Sequence, residues 1–125
     1  MEEYNLKKTF NTPEIILNPD SGHLRIEGRA IPEDPGEFFE EIIDWVIRYF
    51  KNPRDLTRLD IKLEYINSGS SKYMLELLRL IKSNYDKGHD CLITWFYEED
   101  DESIYELGQH YMATVKIPFK MEEYF

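Results

Sequence analysis

Four sets of residues have the types that chemistry requires: a hydroxyl-rich stretch, three histidines, one cysteine and an acidic run. The first, Asn67-Ser68-Gly69-Ser70-Ser71-Lys72, joins three hydroxyls to a glycine and a cation. Its residues are turn formers and helix N-caps. The apolar residues that follow, Met74, Leu77, Leu78, Ile81 and Tyr85, recur at helical spacing. Amide groups at a helix start lack intrahelical partners and form the positive end of the macrodipole, so an anion there is stabilised. A serine in that place can serve as a cap, a phosphate ligand or a phosphate acceptor, and spacing alone favours the cap. The stretch has no GxxxxGK[ST] pattern and no Gly-x-Ser-x-Gly elbow, so neither a nucleotide-binding P-loop nor a serine hydrolase is supported.

The other sets read more plainly. His23, His89 and His110 fall in a strand, a turn and a helix, with no pair at the spacing of a metal motif, and are expected at the surface or as caps. Cys91 opens an apolar strand with nothing nearby to lower its pKa, so a buried structural thiol is expected. As the only cysteine it excludes an internal disulfide. The run Glu98-Glu99-Asp100-Asp101-Glu102 lacks the alternating ligands and turn glycine of a calcium loop. It reads as solvated charge or as a docking surface for a basic partner. No acid/base or nucleophile constellation emerges, so an enzyme ranks below an interaction or ligand-binding reading, and no cofactor or metal is expected.

These residues need elements to hold them. Leu59, Ile61, Leu63 and Tyr65 alternate with Asp60, Lys62 and Glu64, the period of a half-covered strand that ends at Ile66. The hydroxyl stretch then opens a helix over 70–87, closed by Lys87-Gly88. Upstream, Tyr4, Leu6 and Phe10 predict a first strand. Glu14–Leu17 and His23–Gly28 predict a hairpin about the turn at 18–22. Pro32 and Pro35 interrupt the chain before a helix over Glu37–Phe50, which carries Trp45 on a wide apolar stripe. Downstream, Cys91–Tyr97 has the continuous apolar character of an interior strand and includes Trp95. A third helix follows from Ser103, then an edge-type strand over Lys116–Met121, because its proline cannot sit mid-sheet. Strands separated by helices predict a single α/β domain over 1–125, with a mixed β-sheet, βαβ crossovers, an N-terminal antiparallel hairpin and about three helices.

Composition narrows the partners. The chain has 125 residues, 42% of them hydrophobic and few Pro or Gly, so it should fold over most of its length. A net charge of −10 argues against nucleic-acid backbones and anionic membranes. The start of the chain lacks a basic, then apolar, leader, and no stretch could span a bilayer, so a cytoplasmic protein is expected.

Five motifs in register go beyond pattern: Thr12-Pro-Glu-Ile15, Gly28-Arg-Ala-Ile-Pro-Glu-Asp34, Lys62-Leu-Glu-Tyr-Ile-Asn-Ser-Gly-Ser-Ser-Lys72, Thr94-Trp-Phe-Tyr-Glu-Glu-Asp-Asp-Glu102 and Glu106-Leu-Gly108. Together they resemble the SiaC-type family of bacterial regulatory phosphoproteins. The resemblance implies a fold similar to the anti-sigma-factor antagonists (STAS-like domains) and no enzymatic activity. It implies control by a histidine-kinase-like Ser/Thr kinase and a PP2C-type phosphatase, with the unphosphorylated form binding a diguanylate cyclase in cyclic-di-GMP and biofilm signalling. It also places the phosphoacceptor directly after the Asn that follows Leu-x-Tyr-x, which is Ser68 here. The family usually has Thr then Ser where this chain has Ser68 and Gly69. It commonly has an acidic pair where this chain has Gln109-His110. The remaining reading of the same loop is a STAS-like domain holding a small anionic ligand at the helix start.

Overall fold

The central strand, β4 (Leu56–Ile66), pairs in parallel with a neighbour on each side. The computed structural model describes residues 1–125. Three strands lie on one side of β4 or at its edge: β1 (Tyr4–Leu6), β2 (Glu14–Asn18) and β3 (His23–Ala30). β1, β2 and β3 are antiparallel neighbours, and β2 with β3 forms the predicted hairpin. β3, β4, β5 (Asp90–Glu98) and β6 (Phe119–Tyr124) are all parallel. The spatial order is simply β1 to β6. Each parallel step is bridged by a helix: α1 (Pro35–Tyr49), α2 (Ser68–Asp86) and α3 (Glu102–Val115). All three crossovers advance in the same direction, so right-handed connections put every helix on one face of the sheet.

Burial follows that layering. Ile15, Leu17, Leu24, Ile26, Leu59, Ile61, Leu63, Ile93 and Trp95 point under the helices and are buried. Their alternates, among them Arg25, Glu27, Asp60, Lys62 and Phe96, remain partly open on the other face. The helix stripes meet the sheet in one core cluster of 25 buried residues. Trp45 and Trp95 both belong to it, as expected. The Trp45 indole stacks on Tyr49, with ring centroids 5.4 Å apart, and donates to the Glu2 carbonyl at 3.0 Å. Tyr49 shares a buried hydrogen bond of 2.9 Å with Thr57.

Several sequence expectations are corrected. α1 begins at Pro35, not Glu37, because Asp34 caps it by accepting from the Glu37 amide at 3.1 Å, and proline suits the first helical turn. Phe10 lies outside β1, in a loop, and is 76% exposed. Tyr65 leaves the core row of β4 and is exposed. The cause is a bulge: Gly28 pairs with Leu63 but Arg29 pairs with Tyr65, so Glu64 is an extra residue that reverses the alternation. β5 is apolar at Cys91–Ile93 and Trp95–Tyr97, yet helices cover only one face, and Leu92 and Phe96 stay partly exposed on the helix-free face. The last strand starts only at Phe119, after Pro118, and forms the edge opposite β1.

Cys91 is the buried thiol expected. It donates to the His89 carbonyl at 3.4 Å, and burial, helped by the Asp90 charge, pushes its pKa up to about 11. Little thiolate then exists at pH 8, and iodoacetamide is expected to alkylate the native protein at least roughly tenfold more slowly than the urea-unfolded chain. Equal rates in the two states would contradict this placement.

Candidate functional site

The C-terminal ends of β3, β4 and β5 lie along one edge of the sheet, so α1, α2 and α3 all start there. The hydroxyl stretch sits in the middle of this edge. Asn67 is the N-cap of α2, with its Oδ1 accepting from the Ser70 amide at 2.8 Å. The Asn67 amide in turn donates to the Ala30 carbonyl at 3.2 Å, which ties the corner to the end of β3.

The helix therefore begins at Ser68, two residues earlier than the spacing predicts, and the supposed loop is its first turn. That reassigns each residue. Ser70 is not the cap: it is fully buried, and its Oγ has no hydrogen-bond partner. Its place on the Met74, Leu77, Ile81 stripe turned the hydroxyl inward. Ser71 is half-buried, and its hydroxyl donates to the Ser68 carbonyl at 2.9 Å. Gly69 takes no left-handed conformation. Its smallness serves a close approach instead, since a Cβ there would lie 3.3 Å from the Pro35 ring. Lys72 is exposed one turn beyond Ser68 and forms no ion pair within the chain. Of the three serines, Ser68 alone is both exposed and without a side-chain hydrogen bond.

The three helix starts on this edge differ in charge. Asp34 and Glu37 open α1, and Asp101 and Glu102 open α3, but the first turn of α2 holds no acidic residue. Carboxylates thus complement the dipoles of the outer helices, while the dipole of α2 faces only a neutral asparagine.

One residue at the corner was not legible beforehand. The Tyr111 hydroxyl donates to the Ser71 carbonyl at 2.8 Å, from forty residues away in α3. Burial raises its pKa to about 12. The ring meets Trp95 edge-on at 5.5 Å. The helical period of α3 marks Tyr111 as a core position, but no sequence signal reports its partner.

The acidic run is split between four structural roles. Glu98 ends β5, Glu99 and Asp100 form the turn, and Glu102 begins α3. Asp101 caps that helix, accepting from the Ile104 amide at 3.1 Å. Beside it lies an open cleft of about 450 Å³, lined by Tyr97, Glu99, Asp101, Glu102, Tyr105, Glu106 and Glu123. Tyr97 and Tyr105 form its aromatic wall, with centroids 4.9 Å apart. The field extends to Tyr124, whose phenol is held above its ordinary value by burial first and then by Glu98, Glu64, Asp101 and Glu27. Gln109 and His110 lie further along α3, where Gln109 donates to the Tyr105 hydroxyl at 3.2 Å.

The histidines are not brought together. His23 on β3 pairs with Asp60 at 2.7 Å on the helix-free face, His89 lies against Phe50 before β5, and His110 is exposed on α3. No group of three or more potential metal-ligating side chains converges anywhere in the chain. No helix is long and apolar enough to cross a membrane.

Comparison with known proteins agrees with this layout. Residues 6–124 match a family described as SiaC family regulatory phosphoprotein. An uncharacterised protein of Pseudomonas aeruginosa (strain UCBPP-PA14) is 29% identical over 122 residues, covering 98% of this chain and 97% of that protein. Among solved structures, SiaC of Pseudomonas aeruginosa superposes with a TM-score of 0.92 at 27% identity, over 99% of this chain and 100% of that one. A chain from the crystal structure of diguanylate cyclase SiaD in complex with its activator SiaC, also from Pseudomonas aeruginosa, gives a TM-score of 0.91 at 28% identity. It covers 97% of this chain and 99% of that one.

Proposed function

This chain belongs to the SiaC family of regulatory phosphoproteins, and we propose that it is a cytoplasmic, non-enzymatic switch whose binding to a diguanylate cyclase is controlled by phosphorylation of Ser68. The observation that carries this reading is the selectivity of the corner. Of three hydroxyls in the first turn of α2, one is buried, one is bonded to the backbone, and Ser68 is free and exposed. The start of α2 is also the one on this edge without an acidic residue. A phosphoryl group on Ser68 would bring about −1.5 to −2 charges to that helix start, with Lys72 one turn away on the helix. No refolding is required. A charge change of this size at an exposed corner is enough to reject one partner and admit another.

The cyclase enters from the relative, the SiaC that activates SiaD. A histidine-kinase-like Ser/Thr kinase and a PP2C-type phosphatase are proposed to write and erase the mark. Site mapping by mass spectrometry after co-expression with the native kinase tests the acceptor. Phosphate is expected on Ser68, with Ser70 and Ser71 unmodified. Phosphate on Ser71 alone would overturn the assignment. None in the first turn, with a ligand released on denaturation, would favour noncovalent anion binding at this helix start instead.

The cleft beside Glu98–Glu102 is proposed to receive basic side chains of a partner, with Tyr97 and Tyr105 offering ring faces to a cation. Replacing Glu99, Asp100 and Glu102 by Gln or Asn is expected to slow association about tenfold at low salt and to flatten its salt dependence. Asp101 is left intact in that variant because it caps α3. Unchanged association rates would reduce the run to solvated charge.

A further inference from the structure

On the helix-free face, at the same end of β4 as Ser68, two exposed aromatic rings flank one arginine. Phe10 is 76% exposed and Tyr65 51%. The Arg29 Cζ lies 4.7 Å from the Phe10 ring centroid and 5.9 Å from that of Tyr65. The cluster is held in place by the backbone. Arg29 Nε donates to the Phe10 carbonyl at 3.2 Å, and the Ile31 amide donates to the Asn11 carbonyl at 2.9 Å. The Thr9 and Thr12 hydroxyls bond at 2.6 Å, closing the loop that presents Phe10. On the other side, the bulge at Glu64 turns Tyr65 outward.

Two features of this cluster lack an explanation in the fold. Large aromatic side chains gain nothing from exposure, and a fixed exposed pair marks a contact surface. The guanidinium is also uncommitted: no ion pair of this chain involves Arg29, although acidic residues outnumber basic ones by 25 to 15. With Nε engaged, its remaining N–H groups still form a fork suited to a carboxylate.

We propose that Phe10, Arg29 and Tyr65 anchor an acidic segment of the cyclase, with one partner carboxylate on the Arg29 guanidinium and an adjoining apolar side chain across the two rings. The proposal rests on the reading of Ser68 given above and supplies its physical link to binding. Tyr65 precedes Ser68 by three residues, at most about 11 Å of chain, so a phosphate on Ser68 adds negative charge at the end of β4 where the partner's carboxylate is seated. Like charges brought together in this way oppose docking.

Calorimetric titration of the unphosphorylated protein with the source organism's closest counterpart of SiaD tests this. Arg29→Ala and Phe10→Ala are each expected to weaken binding about tenfold or more, with unchanged melting temperatures. Arg29→Lys is expected to remain weak, because an ammonium does not reproduce the fork. Lys51→Ala, beyond the far end of α1, should bind like the parent. Parent binding with Arg29→Ala and Phe10→Ala both within twofold of it would overturn the anchor and leave the Ser68 reading standing. A parent that fails to bind the cyclase at all would overturn both.

Discussion

Trp95→Ala is expected to lower stability by about 3–5 kcal/mol, the range for emptying a large aromatic site in a packed core. Trp95 is fully buried on β5, and its indole donates to the Ile104 carbonyl at 3.0 Å. It also supports α3 directly. A Cβ added at Gly108 would come within 2.4 Å of the indole Cδ1, so the helix backbone rests on the ring with only a glycine between them. Tyr111, one turn on, packs edge-on against the same ring and reaches the Ser71 carbonyl. Loss of the indole should therefore loosen α3 and free the first turn of α2. Urea unfolding gives the stability change, and amide exchange at Ser71–Leu75 reports the loosening. A loss below about 1 kcal/mol would remove Trp95 from the central position assigned to it.

The second large effect concerns binding rather than stability. Ser68→Ala is expected to fold within about 0.5 kcal/mol of the parent, since an exposed side chain with no partner is removed. It should bind the cyclase as well as the parent does and resist the kinase. Ser68→Asp should imitate the phosphate only in part, because a carboxylate carries one charge and fewer acceptor oxygens. Roughly tenfold weaker binding is expected for it, against about a hundredfold for the phosphorylated protein. Ser70→Asp provides the contrast. It would bury a charge beneath α2 and should unfold the domain, which separates a modified surface from a broken core.

Much of this was legible in the sequence because period-2 and period-3.6 patterns reflect burial directly. The alternation of Leu59, Ile61 and Leu63 located β4, and the stripes of α1 and α2 located their helices to within two residues. The exposed corner at Ser68 was equally accessible, because turn formers after a strand mark a strand–helix junction. Side-chain roles within that corner were not. Serine and asparagine cap helices by the same bond, and only the backbone path decides that Asn67 takes the position and Ser70 turns inward. The Glu64 bulge was invisible for a related reason: it depends on the register with β3, which one strand's sequence does not contain. Nor did Phe10, Arg29 and Tyr65 stand out, since three residues from separate segments meet only once the sheet has formed.

The most direct test compares one protein in two covalent states. The domain is phosphorylated to completion at Ser68 with its native kinase, verified by intact mass, and titrated against the cyclase beside the unmodified protein. The unmodified form is expected to bind, the phosphorylated form to bind about a hundredfold more weakly, and phosphatase treatment to restore the first result. Equal affinity of the two forms, with Ser68 fully phosphorylated, would contradict the proposal that this hydroxyl controls the partner.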